Sequence, residues 1–153
     1  ISAEDDKFVD HEGFDWEGIQ KAMEKNQKQG KVVAGGSTIS QQLAKNLLLS
    51  PTKSFFRKGE EAIITIWIEL LWDKRRILEV YLNVVEWGDG IFGAEAAARR
   101  YFGIPAAQLD AAQAARLAVM LPAPRRYERN PYSAYMNGRT ELILGRMGGA
   151  EVP

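Results

Sequence analysis

The sequence predicts a mainly α protein, a single helical domain over residues 1–153. Three observations carry that prediction. Apolar residues recur at helical spacing along most of the chain. Capping and turn residues cut this pattern into short segments. No alternation of apolar and polar residues supports more than a short hairpin.

The elements follow in order. "DWEGIQKAMEKNQKQ" sets Trp16, Ile19, Ala22 and Met23 on one side of a helix, with lysines on the other. "GKVVAGG" breaks it. A helix over 38–49 comes next, with Thr38 and Gln41 in capping-box spacing and "SPTKS" closing it. Ile39, Leu43 and Leu47 form its apolar row. "RKGEEAIITIWIELLW" is a strongly apolar helix, interrupted by Glu69. No apolar run approaches the ~18 residues that span a bilayer. "DKRRILEVYLNVV" is amphipathic, with Ile77, Tyr81 and Val84 on one face. "GDGIFG" reads as a turn-rich loop. "AEAAARRYF" is a short helix stopped by Gly103 and Pro105. "LDAAQAARLAVMLP" starts at Asp110 as N-cap, with Gln113 three residues on. "PAPRRYERNP" reads as an extended loop, and a last helix covers 132–147.

Composition narrows the function. Hydrophobic residues make up 46% and charged residues 26%, the profile of a folded domain. The absence of cysteine excludes a cysteine-based zinc site, and the single histidine, His11, excludes a multi-histidine one within the chain. The zero net charge and the lack of a binding motif argue against nucleic acid. The charge is unevenly spread. Residues 1–17 hold seven acids against Lys7, and residues 99–139 hold seven arginines against Asp110 and Glu128. The chain begins at "ISAEDD" without Met, which reads as a domain cut from a longer protein whose anchor lies elsewhere.

Four features carry chemistry. Thr38, Gln41, Gln42 and Lys45 fall at i, i+3, i+4 and i+7, one stripe of a helix. Neutral hydrogen-bonders ending in a cation suit a hydroxyl-rich, anionic ligand. The glycines before them leave N–H groups of a helix N-terminus approachable, a natural anion site. Lys53, Arg57 and Lys58 with Lys45 suit a diphosphate. Glu61 leads straight into "AIITIWI", a carboxylate at the rim of an apolar helix and a candidate for acid–base work. Glu4, Asp5, Phe8 and His11 crowd into eight residues, with Gly13 after them. A carboxylate pair from distant segments follows the logic of glycosidic-bond chemistry.

"AEDDKFVDHEG", "GGSTISQQLAKNLLL", "RKGEEA", "KRRILEVYLN" and "RYFG…LPAP" resemble, in this order, the motifs of bacterial peptidoglycan glycosyltransferases, glycosyltransferase family 51. "EWGDGIFGAEAAARRYFG" looks most like the monofunctional branch, which lacks a transpeptidase domain. The similarity covers nearly the full chain. It implies a lysozyme-like helical fold with a small membrane-facing jaw, to which Lys21, Lys25, Lys28 and Lys31 would belong. It implies an inverting enzyme that polymerises lipid II and releases undecaprenyl diphosphate at the outer face of the cytoplasmic membrane. Glu4 would be the base that deprotonates the acceptor 4-hydroxyl. Glu61 would assist the leaving diphosphate or its metal ion. Ser37, Thr38, Gln42 and Lys45 would contact donor sugar and phosphate, and Arg57 and Lys58 the diphosphate. Asp5, Phe8 and His11 would support Glu4, while Glu79 and Asn83 would be structural. A divalent cation, Mg or Mn, would arrive with the diphosphate. The partners implied are lipid II, the growing glycan, the membrane surface and other cell wall synthesis proteins. In this family a membrane helix and further residues usually precede the first motif, whereas here Glu4 stands almost first. Two readings stay open beside this one: a lytic muramidase, which would not need Lys45, Arg57 and Lys58, and a non-catalytic membrane-surface module.

Overall fold

Among the described residues, five helices start at a short polar side chain that caps them. The structure, a computed structural model, describes residues 1–30, 36–47 and 55–153, Phe55 by its backbone alone. Lys31, Leu48, Leu49 and Lys53, with the "KVVAG" break and the "SPTKS" closure, lie outside the described residues. The first helix, α1 (Trp16–Gln29), is capped by Asp15, which accepts from Gly18 N at 3.0 Å. Helix α2 (Ile39–Leu47) begins one residue later than the pattern suggests, because Thr38 is its cap. Helices α3 (Phe55–Leu71) and α4 (Lys74–Val84) follow, the latter capped by Asp73. Both pack against α2.

"GDGIFG" closes a hairpin rather than an open loop. Strand β1 (Glu86–Gly88) pairs antiparallel with β2 (Ile91–Phe92). The tight turn has Gly90 at φ +73°, a conformation that favours glycine. Helix α5 (Ala94–Phe102) ends on a left-handed Gly103, as expected. After a 3-10 turn at Ala106–Gln108, α6 (Ala111–Met120) starts at a full capping box of Asp110 and Gln113. The "PAPRRYERNP" segment holds a short helix, α7 (Pro124–Tyr127), where an extended loop was expected. Pro124 sits in its first turn, a position where the missing N–H costs nothing. The last helix, α8 (Ala134–Met147), starts two residues later than expected because Ser133 caps it.

The core joins the first segment to the helices. Phe8, Ile39, Leu43, Ile77, Tyr81, Trp87, Met120, Met136 and Ile143 are its large members. Helix α6 lies against α8, and Trp87 Nε1 donates to Leu117 O at 2.8 Å, tying β1 to α6. Two apolar rows are not where the periodicity puts them. On α2, Leu47 is exposed, and Ser40 and Ala44 are buried in its stead. A helix wedged between two neighbours buries a face wider than one row. On α1, Trp16 and Met23 are exposed and Ala22 alone is buried. Trp16 stacks on Phe14, 5.5 Å between ring centroids. On α3, Phe56, Ile63, Ile66, Trp67, Leu70 and Leu71 are all exposed. Among the described residues no helix is long and apolar enough to cross a membrane.

Candidate active site

The site is built on the start of α2. Its N-terminal N–H groups are the orphan donors of any helix. Here three of them, on Thr38, Ile39 and Gln41, are taken by the protein. Asp5 Oδ2 accepts from Ile39 N at 2.9 Å. Thr38 Oγ1 accepts from Gln41 N, and Gln41 Oε1 accepts from Thr38 N. The open anion site expected at this helix start is therefore filled by the carboxylate of Asp5. Thr38 is 2% exposed, and its hydroxyl donates to Gly13 O at 2.6 Å. Its side chain holds the helix start, and the residue also lines the cleft of Glu4 described below. Ser37, next to it, is exposed.

The first segment is clamped to this helix. His11 Nδ1 accepts from Gly13 N at 3.1 Å, so the proton stands on Nε2, which donates to Asp5 at 2.9 Å. His11 thus braces Asp5 rather than reaching Glu4. Phe8 is fully buried, edge-on to His11, with Lys74 over its ring. Gly13 sits at φ +92°, and a β-carbon there would stand 2.9 Å from Thr65 Cγ2. Only glycine meets both demands. Behind it, Glu69 Oε1 accepts from Ser40 Oγ at 2.5 Å and from Lys74 Nζ at 2.8 Å. Lys74 also donates to His11 O. A largely buried ion pair, with further hydrogen bonds from Ser40 and to His11 O, locks α2, α3 and α4 to the first segment.

Glu4 stands where these elements meet. It lines a cleft of about 280 Å³ with Ser37, Thr38, Asp15, Lys21 and Arg146 among others. Gln42 Nε2 donates to Glu4 Oε2 at 2.9 Å, and Tyr81 Oη donates to Gln42 Oε1 at 2.8 Å. Burial holds the Glu4 carboxyl above the usual glutamate range, and the charge of Asp5 adds to this. The hydrogen bond from Gln42 works against it. Burial, then the charges of Glu4 and Asp5, push the Tyr81 phenol well above its ordinary value. A carboxylate so held is a poised base.

The second carboxylate is placed differently. Glu61 is 6% exposed on the first half of α3, and Lys58 Nζ reaches its Oε1 at 3.2 Å. It does not line the cleft of Glu4, nor do Lys45, Arg57 and Lys58. Lys45 is exposed in the last turn of α2, and Arg57 and Lys58 stand in the first turn of α3. The two cationic ends are joined through 48–54. Glu79 pairs with Arg76, and Asn83 donates to Glu79 O. Among the described residues no cluster of three or more His, Cys, Asp or Glu side chains could hold a metal ion. Glu61 offers hard carboxylate oxygens, one of them paired with Lys58.

Sequence reasoning missed Tyr81, Glu69 and Arg146 as parts of this site. Tyr81 lies on an apolar face and reads as core. The signal was its hydroxyl, since a buried tyrosine needs a partner. Glu69 gave its own signal by interrupting an apolar run.

Comparison with known proteins places the chain in a family. The family model described as transglycosylase matches residues 1–148. A biosynthetic peptidoglycan transglycosylase of Azoarcus sp. (strain BH72) is 68% identical over all of this chain. That of Dechloromonas aromatica (strain RCB) is 69% identical over the same span. In both cases the chain spans 66% of the relative's length. By the extent of that match, the chain belongs to the transglycosylase family.

Proposed function

We propose that this chain polymerises lipid II into glycan strands, with undecaprenyl diphosphate as leaving group, at the bacterial cell envelope. The observation that carries the reading is Glu4, a half-buried carboxylate with its pKa raised, held by Gln42 at a polar cleft beside the start of α2. In this role Glu4 takes the proton of the acceptor 4-hydroxyl as the new glycosidic bond forms. Its raised pKa matches the strength of the base to that transfer. Ser37 presents a hydroxyl suited to a sugar at the cleft, while the Gln42 amide is engaged by Glu4 and Tyr81. Lys45, Arg57 and Lys58 supply positive charge for a diphosphate, whose negative charge grows as the old bond breaks. Glu61, paired with Lys58, would join a divalent cation on the diphosphate. When bound, that cation would neutralise leaving-group charge.

The exposed apolar residues of α1 and α3 suit a membrane surface, where a lipid-linked substrate resides. Lys21, Lys25 and Lys28 on α1 favour an anionic one, at on the order of 1 kcal/mol each. The chain would act on the outer face of the cytoplasmic membrane, beside other cell wall synthesis proteins.

The test is incubation of the chain with labelled lipid II, detergent and a divalent cation, resolved by gel. Polymer ladders from lipid II, with no fragments from preformed glycan, are expected. Fragments from glycan and no ladder would make the cleft that of a lytic enzyme.

A further inference from the structure

Tyr81 ends the chain of contacts that starts at Glu4, and neither it nor Gln42 lines the cleft. Its ring, on α4, is buried in the core. Its hydroxyl donates to Gln42 Oε1 at 2.8 Å, and Gln42 Nε2 donates to Glu4 Oε2 at 2.9 Å. A carboxamide has one acceptor end and one donor end, and a half-turn exchanges them. In the orientation found, each hydrogen bond runs toward the carboxylate. In the reversed one, the carbonyl oxygen of Gln42 would face the carboxylate of Glu4, two acceptors with no proton between them. That arrangement suits only a protonated Glu4. The phenol, held in its protonated form by burial and by the charges of Glu4 and Asp5, keeps a proton to donate to the amide oxygen.

We propose that Tyr81 is a positioning residue that sets the Gln42 amide with its N–H₂ group toward Glu4, so that the base stays ionised and aimed. The proposal rests on the role given to Glu4 above, but not on which reaction Glu4 serves. Without the phenol, Gln42 Oε1 loses its donor and the amide is free to turn. Glu4 then loses a hydrogen bond to its charged form, and its pKa rises further. The other charged groups around the cleft are Asp5, Asp6, Lys7, Asp15, Glu17, Lys21, Arg146 and, in this chain, the amino group of Ile1. They are common to both proteins in the test and cancel in the comparison.

The experiment is a carboxyl ¹³C NMR titration of Glu4 in wild type and Tyr81→Phe, the signal assigned by its loss in Glu4→Gln. It needs no substrate, so it reads the relay even where lipid II polymerisation fails. An upward shift of about one pH unit in Tyr81→Phe is expected. Superimposable titrations would overturn the proposal. With lipid II, kcat should fall by up to about tenfold on the acidic limb, the loss a one-unit shift produces, with KM unchanged. Its acidic limb should move to higher pH, so that the deficit narrows under alkaline conditions. An equal loss at every pH would make Tyr81 a packing residue and overturn the proposal. Should Tyr81→Phe not fold, 3-fluorotyrosine at position 81 keeps the ring and strengthens the donor. It should move the Glu4 titration downward, and an unmoved titration would count against the relay.

Discussion

Glu4 concentrates the conflict between stability and activity in this protein. Its carboxyl is raised chiefly by burial, so the folded state binds its proton more tightly than the unfolded chain does. For a group shifted in this sense, stability is fullest below the unfolded pKa and is lost as pH rises through the folded one. The charged base is therefore a cost at neutral pH. Glu4→Gln should melt no lower than wild type near pH 7, and the difference should shrink on acidification, as read by thermal melts across pH. The same shift sets the activity profile. The acidic limb of the rate should stand above the ordinary glutamate range. These properties were partly legible in the sequence. The crowding of Glu4, Asp5, Phe8 and His11 marked the segment, but not the division of labour inside it. His11 serves Asp5, and Asp5 serves the helix N-terminus. Such pairings depend on distances between segments that no spacing rule encodes.

Helix α2 shows how an element can be legible while its faces are not. Its capping box was readable from Thr38 and Gln41, because that device is local. The burial of Thr38 was not, because its hydroxyl bonds Gly13, 25 residues away in sequence. Thr38→Val should cost about 1–2 kcal/mol by thermal or urea unfolding, since it removes the cap and leaves Gly13 O without its donor. Gln41 and Gln42 likewise split into a capping residue and a relay residue, although both belong to one stripe. The hairpin of β1 and β2 and the short α7 were under-read for another reason. Two-residue turns and single helical turns carry too few residues to show a period.

Across the fold, the polar cleft and the apolar surface are parts of one design. The first segment, α2 and α4 converge on Glu4, while α1 and α3 turn large apolar side chains outward. An apolar helix with Trp67, Leu70 and Leu71 exposed is poorly matched to water. Trp67→Glu with Leu70→Glu should lower co-sedimentation with anionic liposomes at least about tenfold, and leave the melting temperature unchanged. The sequence declared these residues apolar; it could not say which of them the core would claim. The measurement that bears most directly on the account is the initial rate of lipid II polymerisation by wild type and Glu4→Gln, each shown folded by circular dichroism. The account predicts a loss of at least about 10²-fold in the variant, since a general base contributes on that order. A folded Glu4→Gln that polymerises lipid II at the wild-type rate would contradict it.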